Sequence, residues 1–79
     1  MLRKLPSLKP RKFISILIAN GCYFYREGKG DHTLYCREFG NIKKVVPIDI
    51  GKNEYSPIYV LRVLRQFGFT DEEINEMKF

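Results

Sequence analysis

Apolar positions change their spacing along this chain, and the changes mark out its elements. Phe13, Ile16 and Leu17 fall at i, i+3, i+4, with Ile14 and Ile18 widening the stripe, which is the spacing of a helix with one buried face. Pro10 suits a first helical turn and Asn20-Gly21 a helix stop, so the pattern predicts a helix over about residues 10–20. From Cys22 the period shortens. Cys22-Tyr23-Phe24-Tyr25-Arg26 is aromatic and lacks helical spacing, so it reads as a strand; Gly28-Lys29-Gly30-Asp31 supplies a turn, and His32–Arg37 reads as the returning strand. Phe39-Gly40-Asn41 makes a second turn. Lys43–Ile48 is a third strand, in which Pro47 argues for a sheet edge or a strand end.

After a polar loop over 49–56, Ser56-Pro57 reads as an N-cap and first-turn proline. The helix they open runs through Ile58–Phe67, with Leu61, Leu64 and Phe67, joined by Ile58 and Val60, predicted to be buried. Arg62, Arg65 and Gln66 are predicted to face solvent, and Gly68 ends the helix. Thr70 and Glu73 match a capping box for a short acidic turn whose Ile74 and Met77 pack down. The predicted architecture is therefore one α+β domain over 1–79, in the order α-β-β-β-α. A three-stranded antiparallel sheet carries two helices on one face, and an acidic turn follows at about 70–79. Strand alternation separates Tyr23, Tyr25 and Tyr35 from Phe24 and Leu34, the second set being expected to face the helices.

Charge sharpens this picture. The formal net charge is +5, but residues 1–69 carry 13 Lys/Arg against 5 Asp/Glu, or +8, and residues 70–79 carry 1 against 4, or −3. A basic body with its acid confined to the tail favours a polyanionic partner, nucleic acid or an anionic membrane, while net charge alone fits a solvated basic face with no partner equally well. The apolar run Phe13–Ala19 behind a basic N-terminus imitates an export signal, yet Asn20-Gly21 stands where a small-residue cleavage site belongs. The run is also far short of the ~20 residues of a membrane span. The expectation is a cytoplasmic protein with no membrane partner. Cys22 and Cys36 with His32 do not amount to a closed zinc site. Reduced thiols are the default, although a hairpin pivoting near Lys29 sets the two cysteines opposite each other and makes a disulfide geometrically feasible.

No phosphate-cradling P-loop, dinucleotide fingerprint or paired-histidine motif occurs, so no cofactor or metal is expected. His32 is the only histidine. Cys36 lies four residues along the same strand, about 13 Å away, too far to be activated by it. His32 follows a Gly-Lys-Gly turn whose backbone N–H groups can approach phosphates, and Arg26, Lys29, Arg37, Lys43 and Lys44 surround it in sequence. Imidazole in a phosphate-binding setting suits RNA transesterification, which needs a base for the 2′-OH, an acid for the departing 5′-oxygen and cations for the phosphorane. His32 is the candidate base, with a Lys, Tyr35 or water completing the transfer. Gly28, Lys29, Gly30, Arg37, Lys43 and Lys44 are candidate RNA contacts, and Tyr23, Tyr25 and Tyr35 are placed either to stack on bases or to pack across strands.

These residues also resemble a family. Leu5-Pro6-Ser7-Leu8-Lys9-Pro10, Ile16-Leu17-Ile18-Ala19-Asn20-Gly21, Gly28-Lys29-Gly30-Asp31-His32-Thr33-Leu34-Tyr35, Val45-Val46-Pro47 and Leu61–Phe69 occur in the order seen in the HicA toxins. Those toxins are small mRNA interferases neutralised by HicB antitoxins, and the resemblance covers about residues 4–75. It implies a double-stranded-RNA-binding-like fold, ribosome-independent mRNA cleavage, His32 at the family's catalytic position and a HicB-like antitoxin covering it. Two positions depart from the family's pattern. Asp31 stands where a small hydroxyl residue usually precedes the histidine, and either orients His32 or repels the phosphate. Pro47-Ile48-Asp49-Ile50 lacks the second histidine that often follows the Val-Pro pair. The competing readings are a non-catalytic RNA-binding module of the same fold and a partner-binding protein with a basic surface.

Overall fold

The computed structural model describes residues 2–79. Its elements are α1 (Pro10–Ala19), β1 (Cys22–Glu27), β2 (His32–Phe39), β3 (Ile42–Asp49), α2 (Pro57–Gln66) and α3 (Asp71–Glu76). The strands form one antiparallel sheet in the order β1-β2-β3, so the protein is α+β in the expected α-β-β-β-α order with a short third helix. Overall extents of 36 × 33 × 17 Å describe a slab two layers thick, helices on one side of the sheet and solvent on the other.

The predicted capping chemistry is in place. Ser56 Oγ accepts from Tyr59 N at 3.2 Å, with Pro57 in the first turn of α2. At α3, Thr70 N donates to Glu73 Oε1 at 2.8 Å and Glu73 N donates to Thr70 Oγ1 at 3.2 Å, a complete capping box. Ile74 and Met77 are buried as expected. Pro47 lies on an edge strand, where a missing N–H removes no ladder hydrogen bond.

One core joins Phe13, Ile16 and Leu17 of α1 to Val60, Val63, Leu64 and Phe67 at the α2 end, over Cys22, Val46 and Ile48 of the sheet. Burying such a side chain stabilises the fold by about 1.5–3 kcal/mol each. The buried stripe of α2 differs from the sequence expectation. Val60, Val63, Leu64 and Phe67 follow i, i+3, i+4, i+7, whereas Leu61 is only half-buried and Ile58 is 79% exposed. Tyr55, expected in a polar loop, is fully buried. Its backbone pairs with Leu8 at 3.0 and 2.7 Å, and its ring meets Phe13 edge-on at 5.5 Å.

The register of the first hairpin also departs from expectation. Near the turn, Glu27 faces Thr33 and Arg26 faces Leu34; beyond a bulge between Phe24 and Arg26, Phe24 faces Tyr35, Tyr23 faces Cys36 and Cys22 faces Arg37. The turn is centred on Gly30 rather than Lys29, which takes Cys22 and Cys36 out of opposition, and the extra residue, which the sequence does not announce, puts them on opposite faces of the sheet. Both thiols are free and buried, and burial pushes the Cys22 thiol up to about 11.

Tyr23, Tyr25 and Phe24 lie on the expected faces, but those of Tyr35 and Leu34 in β2 are reversed. Tyr35 meets Phe24 edge-on at 6.0 Å and packs against the core on the helix side, while Leu34 shares the open side with His32 and Pro47. The inversion follows from β2 itself, where Thr33, directly after His32, points inward against Ile48.

Candidate functional site

His32 opens β2, the central strand, and its position is set through its backbone. Gly28 N donates to His32 O at 2.9 Å and His32 N donates to Lys29 O at 3.1 Å, closing the mouth of the hairpin from both sides. Gly30 takes a left-handed φ of +58° inside the turn. A Cβ at Gly28 would sit 2.9 Å from His32 O, so this position has room for hydrogen alone. Gly28 thus has a packing reason to be glycine that is independent of any ligand. The imidazole itself is exposed and lies under no helix.

Directly across the sheet from His32 is Asp49. Opposed residues in an antiparallel pair have Cβ atoms about 4.5–5.5 Å apart on one face, so this carboxylate faces the ring across the strands without an ion pair to it. Asp49 is itself held firmly. Its Oδ1 accepts from Gly51 N at 2.9 Å, its N–H donates to Tyr59 Oη at 3.0 Å, and its carbonyl accepts from Tyr55 Oη at 2.6 Å. Asp31, the carboxylate expected beside His32, is turned toward Gly51, and its carbonyl accepts from Ile50 N at 2.8 Å. It ties the hairpin turn to the loop after β3.

His32 stands between two shallow grooves. One, of about 430 Å³, runs toward α2 and is lined by His32, Asp49, Lys52, Tyr59, Arg62 and Gln66 among others. The second, of about 420 Å³, lies on the open sheet face with Arg26, Glu27, Lys29, Leu34 and Pro47. The α2 side is ordered by stacked tyrosines: Tyr59 lies on the buried Tyr55 at 4.7 Å and 25°. Lys52 Nζ and the Arg62 guanidinium carbon each lie 5.3 Å from the Tyr59 ring centre. The ion pairs found among the described residues are Arg37–Glu73 and Arg65–Asp71, and neither involves these two cations.

Of the residues singled out from sequence, Gly28, Lys29 and Gly30 gather around His32, and Arg26 joins them. The others do not. Arg37 points to the helix side, where Nη1 donates to Phe67 O at 3.1 Å and Nη2 to Glu73 Oε2 at 3.1 Å, its guanidinium packed on Phe69 and Phe39 at 3.8 and 4.2 Å. That side chain is occupied by the fold. Tyr35 is half-buried beside Phe24 and is not placed to donate a proton at the His32 groove. Lys43 lies on the open face six positions from Asp49, about 20 Å along β3, with its ammonium on the Tyr25 hydroxyl at 3.4 Å; that hydrogen bond raises its pKa. Lys44, the next residue, points to the opposite face. Tyr23 donates to Glu38 Oε2 at 2.7 Å, so the two open-face tyrosines are held in cross-strand pairs.

Sequence reading missed Asp49, Lys52, Tyr59 and Arg62. Tyr59, Arg62 and Gln66 do stand at i, i+3, i+7 on one stripe of α2, which was the available signal. Chemically, the arrangement offers an exposed imidazole, a carboxylate across the strands from it and cations on both sides. Among the described residues no cluster of three or more His, Cys, Asp or Glu side chains is gathered for a metal, and no helix is long and apolar enough to cross a membrane. Fold and site together define a small α+β protein bearing a histidine between two cation-lined grooves. No family model, curated protein or solved structure matches the chain.

Proposed function

We propose that this protein is an endoribonuclease of the HicA type, an mRNA interferase that cleaves RNA by transesterification through His32. The observation carrying this reading is the solvent-facing imidazole at the start of the central strand, opposite Asp49 and flanked by Arg26, Lys29, Lys52 and Arg62. In the proposed reaction, His32 takes the proton from a ribose 2′-OH, and the 2′-oxygen forms a bond to the adjacent phosphorus. The bond from phosphorus to the 5′-oxygen breaks, and the leaving oxygen takes a proton from the solvent to which both grooves open. The products are a 2′,3′-cyclic phosphate and a 5′-hydroxyl. The cations stabilise the charge on the phosphorane, and Asp49 holds the ring in its reactive orientation. The reaction requires no metal and no cofactor.

The sequence resemblance to HicA toxins supports the same assignment and supplies the expected partner, an acidic HicB-like antitoxin that covers His32, in the cytoplasm. The basic body of the chain, +8 over residues 1–69, suits both an RNA substrate and such an inhibitor.

The test compares wild type with His32→Ala for cleavage of single-stranded RNA in EDTA and for growth arrest on induction. Wild type cleaves and leaves cyclic phosphate ends; the variant, with unchanged circular dichroism, loses about 10²–10⁴-fold in rate. Equal cleavage by the two proteins discards His32 as the base. Salt-sensitive RNA binding without cleavage by either assigns the fold to a binding module.

A further inference from the structure

The groove on the α2 side of His32 has properties that the open-face groove lacks. In the open-face groove, Arg26 Nη1 is bonded to Glu27 O at 3.2 Å and Glu27 is itself among the lining residues. On the α2 side, Lys52 comes from the loop after β3 and Arg62 from α2 one turn beyond Tyr59, yet both converge on one ring. That ring cannot move freely. Its inner face lies against Tyr55, which is fully buried, and its hydroxyl accepts the Asp49 N–H. Two cations are therefore gathered at a fixed point, and no carboxylate forms an ion pair with either among the described residues. Asp49, the one carboxylate lining this groove, has an oxygen engaged by Gly51 N and lies across from His32. Setting Lys52 and Arg62 against Asp49 gives the groove a charge of +1 before His32 is protonated and +2 after.

We propose that Lys52 and Arg62, held on Tyr59 across the groove from His32, form a binding subsite for one phosphodiester group of the polynucleotide. As a subsite for RNA it rests on the reading of His32 given above; as a phosphate site it stands on its own geometry. A guanidinium presents paired N–H donors to phosphate oxygens, and an ammonium beside it adds a point charge, so together they grip one phosphate from two directions. Tyr59 keeps both cations in place when the groove is empty, which lowers the ordering cost of binding. The backbone of the bound strand then runs from the α2 groove over His32 toward Lys29. This path follows an extended single strand across the end of the sheet.

Inorganic phosphate is the first probe, titrated into the 15N,13C-labelled protein. Signals of Lys52, Tyr59 and Arg62 shift in wild type, and binding weakens at least tenfold in Lys52→Gln/Arg62→Gln. A charge-matched control, Lys9→Gln/Lys12→Gln at the N-terminal end of α1, keeps wild-type affinity. The second probe is single-stranded RNA bound to proteins carrying His32→Ala, measured against salt. The slope of log K on log salt falls by about 0.7 in the Lys52/Arg62 double variant, the contribution of one phosphate on a single strand, and less in the control. Phosphate that shifts no signal in this groove, or that binds both double variants alike, overturns the subsite even if RNA is cleaved. Phosphate bound here by a protein that neither binds nor cleaves RNA keeps the phosphate site and removes the ribonuclease reading.

Discussion

Of the clusters that combine arginine with aromatic rings in this molecule, those at Arg37 and at Tyr59 end up with opposite roles. Around Arg37, the guanidinium lies on Phe69 and Phe39 and meets both the Phe67 carbonyl and the Glu73 carboxylate. Around Tyr59, Arg62 and Lys52 meet a ring of the same kind but no carboxylate in an ion pair. The first cluster is occupied by the fold: both terminal nitrogens of Arg37 have partners, and the side chain is 11% exposed. The second leaves its charge for something outside the chain. The residue type does not distinguish a structural arginine from a binding one; what its donors already face does.

The contrast can be broken by substitution. Arg37→Ala has the largest expected effect on stability, about 2 kcal/mol in denaturant unfolding. Most of this loss comes from the packing against Phe39 and Phe69 and from the orphaned carbonyl, because the exposed Glu73 partner is screened by solvent. Activity per folded molecule stays at the wild-type level, the reverse of the His32→Ala outcome.

Tyr59→Phe is expected to cost about 1 kcal/mol, since the Asp49 N–H loses its acceptor while the ring that carries the two cations remains. Phosphate affinity measured on the same protein changes little, and a large loss would mean that the hydroxyl itself touches the ligand. Glu73→Gln gives the smallest change, a few tenths of a kcal/mol near neutrality, with a signature in pH. The Thr70 N–H and then Arg37 hold the Glu73 carboxyl below its usual value of 4.5. Its contribution is therefore complete above that value and lost as pH falls through the lower folded value. Acid unfolding curves of wild type and Glu73→Gln should converge once pH has fallen below that lowered value. Parallel curves would show that the carboxylate contributes nothing to the Arg37 cluster.

The order of elements was legible because punctuation residues stand at nearly every boundary: Pro10, Asn20-Gly21, Gly40-Asn41, Ser56-Pro57 and the Thr70/Glu73 box. Local chemistry decides these, and local chemistry is what a sequence displays. Register was not legible, since the bulge before Arg26 carries no glycine or proline to mark it, and one added residue reassigns Cys22 and Cys36 to opposite faces. Nor was the burial of Tyr55, which depends on Leu8, 47 positions earlier in the chain. The site divides in the same way. His32 and its glycine turn could be read as a unit because they are contiguous. Asp49, Lys52, Tyr59 and Arg62 could not, because they reach His32 only after β3 has paired with β2 and α2 has packed back over the sheet. Arg62 was correctly expected to face solvent, but sequence alone did not say which solvent-facing groove it would enter.

The absence of space at Gly28 has a consequence for how such a chain can change over generations. With the hairpin mouth shut by main-chain atoms alone, the backbone that carries the imidazole is set by a jig that no neighbouring side chain helps to build. Charges around it can be exchanged, retuning which polyanion is held, while the aim of the ring survives. A single methyl group at position 28 would spoil that aim without touching one of those charges.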